Sequence, residues 1–119
     1  MTTLDEFFSG EEDSLLIYRN LFAAIDVLGS VEVSVTKSQI AFRRRKAFAW
    51  AWIPGKYLRG KTAPLVLSVA LRRKDSSHRW KQVVEPKPGR FMHHLELNAS
   101  QDIDNEVCAW LKEAWELTG

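Results

Sequence analysis

The spacing of apolar residues changes twice along this 119-residue chain, and that change constrains the fold more than any other feature. Leu15, Tyr18, Leu21, Phe22, Ile25 and Leu28 recur at intervals of three and four, which puts them on one face of a helix. From Val31 the interval drops to two: Val31, Val33 and Val35 alternate with Glu32, Ser34 and Thr36, the pattern of a strand buried on one side. Ile103, Val107, Trp110, Ala114 and Leu117 then return to helical spacing, with Cys108, Leu111 and Trp115 widening the stripe. A chain that is helical, then extended, then helical again can bury all three stripes by laying its helices on a sheet.

Local signals set the boundaries. Ser9 and Glu12 read as a capping box, predicting a helix over about Glu11 to Leu28 that closes at Gly29, with Phe7 and Phe8 packing back ahead of it. Extended segments follow at Ser38–Arg43, Lys46–Ile53, Ala63–Arg73 and Arg90–Leu97, and a polar stretch has room for a short one around Trp80 to Val84. In the second of these, Phe48, Trp50 and Trp52 are expected on one face and Ala47, Ala49 and Ala51 on the other. Asn98 to Asp102 is rich in helix-capping residues and leads into the terminal helix. Short connections favour antiparallel pairing. The expected fold is therefore α+β: an N-terminal helix, a four- or five-stranded mainly antiparallel sheet and a C-terminal helix, with the helices on one sheet face. No linker or repeat divides residues 1–119, and 45% hydrophobic with 27% charged residues fits a single globular domain.

Charge is distributed by segment. Residues 1–30 hold six acids and one base, residues 31–94 hold three acids and fifteen bases, and residues 95–119 hold six acids and one base. The net charge of +2 conceals this basic middle between acidic ends. Its cations are interleaved with Trp50, Trp52, Tyr57 and Trp80. Such a set points to a surface that binds nucleic acid or another polyanion, with Lys37, Arg43, Arg44, Arg45, Lys46, Arg72, Arg73 and Lys74 as phosphate contacts. The plainer reading is that these cations sit solvated at turns and strand ends and offset the acidic helices. If helices cover the alanine face, Phe48, Trp50 and Trp52 form an exposed aromatic groove, which suits a small ligand or a protein partner. Acidic helices against a basic sheet would also suit a head-to-tail homodimer.

Other chemistry finds little support. His93 and His94 are adjacent on a strand and project to opposite faces, and His78 falls in a loop, so no metal site is expected. Cys108 lies on the core stripe of the terminal helix and reads as a small hydrophobe. Asp102 and Asp104 suit a helix start better than acid–base work. No nucleotide-cradle or hydrolase motif is present, so no catalytic residue or cofactor is assigned and an enzyme is the least supported class. One cysteine, no signal-peptide pattern and no apolar run of about 20 residues make the cytoplasm the expected compartment and argue against a membrane role.

Leu28-Gly29, the run Val31 to Val35, Lys37-Ser38-Gln39-Ile40-Ala41-Phe42-Arg43 leading into Phe48-Ala49, His94 to Leu97, and a terminal helix with Asp104, Glu106-Val107, Trp110-Leu111 and Ala114-Trp115 form a wider pattern. From Phe8 to Trp115 it resembles an uncharacterised bacterial α+β domain family of about this length, a domain of unknown function. The family occurs alone or, in some proteins, behind a restriction-endonuclease-like nuclease domain. The resemblance implies an accessory binding role, and Lys37, Phe42, Arg43, Phe48 and His94 are the positions that match the pattern. Trp115 departs from it, standing where a tyrosine is expected.

Overall fold

The computed structural model describes residues 2–119. Helices α1 (Leu4–Phe7) and α2 (Glu12–Asp26) precede β1 (Glu32–Val35), β2 (Ile40–Arg43), β3 (Ala47–Trp52), β4 (Leu65–Leu71), β5 (Gln82–Lys87) and β6 (Arg90–Leu97), and α3 (Asn105–Leu117) closes the chain. Short 3₁₀ turns at Pro54–Lys56 and Ser100–Asp102 follow β3 and precede α3. Every strand pair is antiparallel, in the order β1-β2-β3-β4-β6-β5. The sheet thus has six strands, not four or five. The uncertain strand is β5, an edge strand with mostly exposed side chains that hydrophobic alternation marks weakly, whereas β1, also at an edge, shows the alternation of Val33 and Val35 although most of its side chains are exposed. The edge position also explains how β5 accommodates Pro86.

The capping box forms one element earlier than the spacing predicts. Thr3 and Glu6 make it reciprocally at α1, whereas α2 starts after Glu11 with no side-chain cap. The short α1 turns Phe7 and Phe8 into the core. At the other end Asp104 caps α3 by accepting from the Val107 amide at 3.1 Å. Gly29 has φ +134°, and a Cβ there would lie 2.8 Å from the Trp115 ring. A glycine is therefore required both by the turn out of α2 and by the close approach of α3.

Both helices cover one face of the sheet, where Leu21 and Ile25 of α2 and Val107, Leu111 and Ala114 of α3 meet Ile40, Phe42, Ala49, Ala51, Leu67, Val69 and Leu97. The small Ala49 and Ala51 stand on this covered face, so Trp50 and Trp52 project from the other. Phe48 does not join them. The β2–β3 register slips between Phe42 and Arg43, and this β-bulge turns Phe48 into the core with none of its surface exposed. Expected in the aromatic groove, it is instead a core residue, because an extra residue in one strand shifts the two-residue alternation locally. Within the core, the Tyr18 hydroxyl is buried without a hydrogen-bond partner, and burial pushes its pKa up to about 12. Among the described residues, no helix is long and apolar enough to cross a membrane.

Two measurements check this packing. Phe48→Ala should cost about 3–5 kcal/mol in urea unfolding and Trp50→Ala less than half as much; equal costs would contradict the bulge. Tyr18→Phe removes a buried hydroxyl that has no partner, so it should raise unfolding free energy by about 1 kcal/mol rather than lower it.

Candidate functional site

The side of the sheet opposite the helices carries two adjoining cavities, and a third lies at the sheet end that the last turn of α3 reaches. The central one, about 490 Å³, is walled by Trp50, Trp52 and Tyr57 and floored by Ser68, Met92 and His94, with Ser38 and Gln39 at its rim. These residues come from β3, the segment after it, β4, β6 and the β1–β2 turn. Strand register brings them together: Trp50 lies opposite Ser68, and Ser68 opposite His94, all on the face the helices leave open. A second cavity of about 620 Å³ shares Trp52 and His94 with the first and is edged by Arg59, Lys61 and Lys81. The third, about 810 Å³, lies among the β2–β3 and β5–β6 turns, the end of β4 and the C-terminal residues Leu117, Thr118 and Gly119, and is edged by Arg45, Lys46, Arg72 and Arg90. Arg90 connects it to the centre, its guanidinium 6.0 Å from the Trp50 ring centroid. Seven cations thus border the three cavities, against one acid, Glu96, whose charge is engaged by Lys81 at 3.1 Å.

A hydrogen-bonded chain crosses the floor of the central cavity. The Trp52 indole donates to Ser68 Oγ at 3.0 Å, and Ser68 Oγ lies 2.7 Å from His94 Nδ1. An indole N–H can only donate, so it occupies a lone pair of the serine oxygen. The oxygen keeps a second lone pair, so His94 Nδ1 could donate to it or accept the serine proton; only the second arrangement gives that proton a partner among the described residues. Ser68 is 4% exposed, so its hydroxyl is an orienting group, not one presented to a substrate. Burial holds His94 below its ordinary pKa, and the neighbouring His93 adds to the effect.

His93 faces the core, as alternation dictates. It accepts the Asp75 amide at Nε2 (3.0 Å) and faces the Phe91 carbonyl through Nδ1 (3.2 Å), a pair of bonds that suits the neutral ring. Burial lowers its pKa as well. Trp80, grouped by sequence with the basic surface, packs instead against Trp110 with ring centroids 4.1 Å apart, and its indole donates to Asp75. Burial pushes the Asp75 carboxyl up, but bonds from Trp80, Arg73 and the Ser77 amide outweigh it and hold the group at about 2.

The structure divides the expected phosphate contacts. Arg43, Arg44, Arg45 and Lys46 join Arg72, Arg73 and Lys74 at one end of the sheet, while Lys37 sits in the β1–β2 turn at the opposite end. Several are engaged within the chain. Arg73 makes a two-pronged contact with Glu113 (2.8 and 2.9 Å) and an ion pair with Asp75 (2.7 Å). Arg44 lies 3.6 Å over the Trp115 ring and donates to the Trp115 carbonyl. Arg72 donates to the Leu117 carbonyl, so these two arginines complement the negative end of α3. Arg79 is held by Asp104 and Glu106. Arg44, Arg73 and Arg79 are thus all engaged with α3 or the residue that caps it. Arg43, Arg45, Lys46 and Lys74 are exposed and make no ion pair among the described residues. Sequence reasoning missed Ser68, Tyr57 and Gln39 as cavity residues; the polar Ser68 within the apolar run Leu65–Leu71 was the available signal. No group of three or more acidic, histidine or cysteine side chains that could hold a metal occurs among the described residues.

Both histidines have lower pKa values in the folded chain than the ordinary 6.5. Below pH 6.5 the unfolded chain therefore binds more protons than the folded one, and stability falls as pH falls. Urea unfolding should show a decline from pH 7 to pH 5. His93→Gln and His94→Gln should each flatten part of it, and a flat wild-type profile would contradict the two neutral rings.

No curated protein and no solved structure matches the chain. A family does: residues 4–118 match the domain of unknown function DUF5655, and the chain belongs to that family.

Proposed function

We propose that the uncovered sheet face binds a single-stranded nucleic acid. One observation carries this reading: an aromatic cavity on the uncovered face lies between two groups of cations, the one acid lining the cavities, Glu96, is already paired, and the other acid of this face, Glu32, stands at the β1 edge opposite Arg43. Phosphates of a bound strand would lie against Arg45, Lys46 and Arg90 at one end and Arg59 and Lys61 at the other, with bases stacking on Trp50 and Trp52 between them. The acids of α2 and α3 lie on the opposite side of the sheet, so the charge asymmetry of the molecule favours approach of a polyanion to this face. Arg43 and Lys74 extend the basic end, whereas Arg44 and Arg73 serve the fold. Lys37, on the β1–β2 turn, belongs with the second group of cations. The strand-and-loop surface inferred from sequence is thereby narrowed and joined to the aromatic groove. The setting we propose is cytoplasmic, and companionship with a nuclease domain in bacterial relatives would give such a module its substrate.

The size of the central cavity supports a second reading. About 490 Å³ falls within the roughly 300–1,000 Å³ of small-molecule sites, so a free ligand seated between Trp50, Trp52 and Tyr57 is the alternative. A second copy, laying its acidic helices on the basic sheet, would compete for the same face.

Oligonucleotide titration followed by tryptophan emission separates these readings. A single strand of about ten nucleotides should bind more tightly than a duplex and quench emission. If three phosphates are contacted, affinity should fall about tenfold between roughly 50 and 150 mM salt. The R45E/K46E double variant should weaken binding to every sequence and lower the salt slope by about 1.4, and Trp50→Ala should weaken it about tenfold or more. Absence of salt-dependent binding to any oligonucleotide would overturn the proposal, and sedimentation at both salt concentrations would show whether a second copy occupies the face.

A further inference from the structure

The central cavity has an asymmetry that a stacking platform alone does not need. Its aromatic walls are indifferent to base identity, but its floor holds one hydrogen-bonding group in a defined state. The Trp52 indole donates to Ser68 Oγ, and His94 Nδ1 is the one acceptor among the described residues within reach of the Ser68 proton, so the fully satisfied arrangement has Ser68 donating to Nδ1. That leaves the proton of a neutral His94 on Nε2. Nε2 makes no hydrogen bond within the described residues and is not sealed from solvent. His94 lines both of the first two cavities, and with Nδ1 tied to Ser68, Nε2 is the ring nitrogen left for a ligand there. At the rim, the Gln39 side chain is exposed and its amide is unengaged. The Tyr57 hydroxyl, by contrast, donates to the Ser38 carbonyl and supplies only a wall.

The geometry points to a base-reading site in which His94 Nε2–H donates to the exocyclic carbonyl of one nucleobase held between Trp50, Trp52 and Tyr57, with Gln39 completing the contact at the rim. This rests on the single-strand reading above and adds a selectivity that reading does not require. A carbonyl oxygen projects beyond the ring and offers two lone pairs, so thymine, uracil, guanine and, through O2, cytosine present a suitable acceptor. Adenine presents only ring nitrogens, and on the edge where it is read these lie beside the donor amino group. Ser68 and Trp52 act as positioning residues: they set which ring nitrogen carries the proton and never touch the base through a polar atom.

The test compares oligo-dT, oligo-rU and oligo-dA of equal length at one salt concentration. Oligo-dT and oligo-rU should bind about tenfold more tightly than oligo-dA, the worth of one good base-edge contact. Adenine offers the larger stacking surface, so a platform alone would not produce that order. His94→Ala should abolish the preference by weakening oligo-dT about tenfold more than oligo-dA. Ser68→Ala should reduce the preference, and Ser68→Thr, which keeps the hydroxyl, should restore it. ¹⁵N chemical shifts of the His94 ring, recorded on the free protein, should show a protonated Nε2 and an unprotonated Nδ1, and Ser68→Ala should mix the two forms. Thermal melts establish that each variant is folded. Equal, salt-dependent binding of all three oligonucleotides overturns this inference and leaves the single-strand reading standing. A preference that survives His94→Ala, or a protonated Nδ1, also overturns it, and failure of every oligonucleotide to bind removes both.

Discussion

Close approach of α3 to the centre of the sheet is the contact on which the remaining architecture depends. It is possible because β3 presents Ala49 and Ala51, not larger side chains, to the covered face, where they pack with Val107, Leu111 and Ala114. Interiors pack to nearly crystalline density, so small residues on the strand match a broad helix face without leaving a gap. The same choice has a consequence on the other side. Alternation puts Trp50 and Trp52 on the uncovered face, where no helix offsets their apolar surface. The bulge before them supplies Phe48 to the core, filling space beside the alanines. Covered and uncovered faces are thus set by one short segment, Ala47–Trp52.

Charge follows the same division. The acidic chain ends become the helical layer and the basic middle becomes the sheet, but the separation is not complete. Arg73, Arg79 and Arg44 cross to the helical side and bind Glu113, Asp104, Glu106 and the last turn of α3. These contacts tie the segment between β4 and β5 and the β2–β3 turn to α3, where exposed ion pairs add only modestly to stability. What remains unneutralised is smaller than the composition implies and is concentrated around the open cavities. A polyanion site built from this remainder depends on which cations the fold leaves free, not on how many the chain contains.

Two adjacent histidines show how strand geometry separates roles. His93 and His94 are neighbours in sequence, yet one closes a core network with Asp75 and Trp80 and the other lines a solvent-reached cavity with Ser68 and Trp52. Both stay neutral for the same physical reason, burial, but neutrality serves packing in the first case and a fixed hydrogen-bond donor in the second. Substitution at one should leave the partners of the other in place, which is what allows their contributions to pH-dependent stability to be separated.

Periodicity determined the order of helix, strands and helix and the opposition of His93 to His94, and short connections together with the layer rule gave the antiparallel pairing and the helices on one face. The order and the opposition are local properties, written in intervals of two and of three or four. Alternation also put Trp50 and Trp52 opposite the alanines. Tertiary structure decided the rest. The bulge that removed Phe48 from the groove is a one-residue slip between paired strands, invisible in either strand alone. The edge strand β5 needed a neighbour to be recognised with its full extent, because exposed side chains carry little alternation. Lys37 parted from the 43–46 run because antiparallel strands carry successive turns to opposite ends of a sheet. Trp52, Ser68 and His94 come from three strands and meet only through register, and the same long-range contacts determined which arginines were already paired. Sequence spacing sets which face a residue takes along its own element; only the pairing of distant elements sets what that face meets.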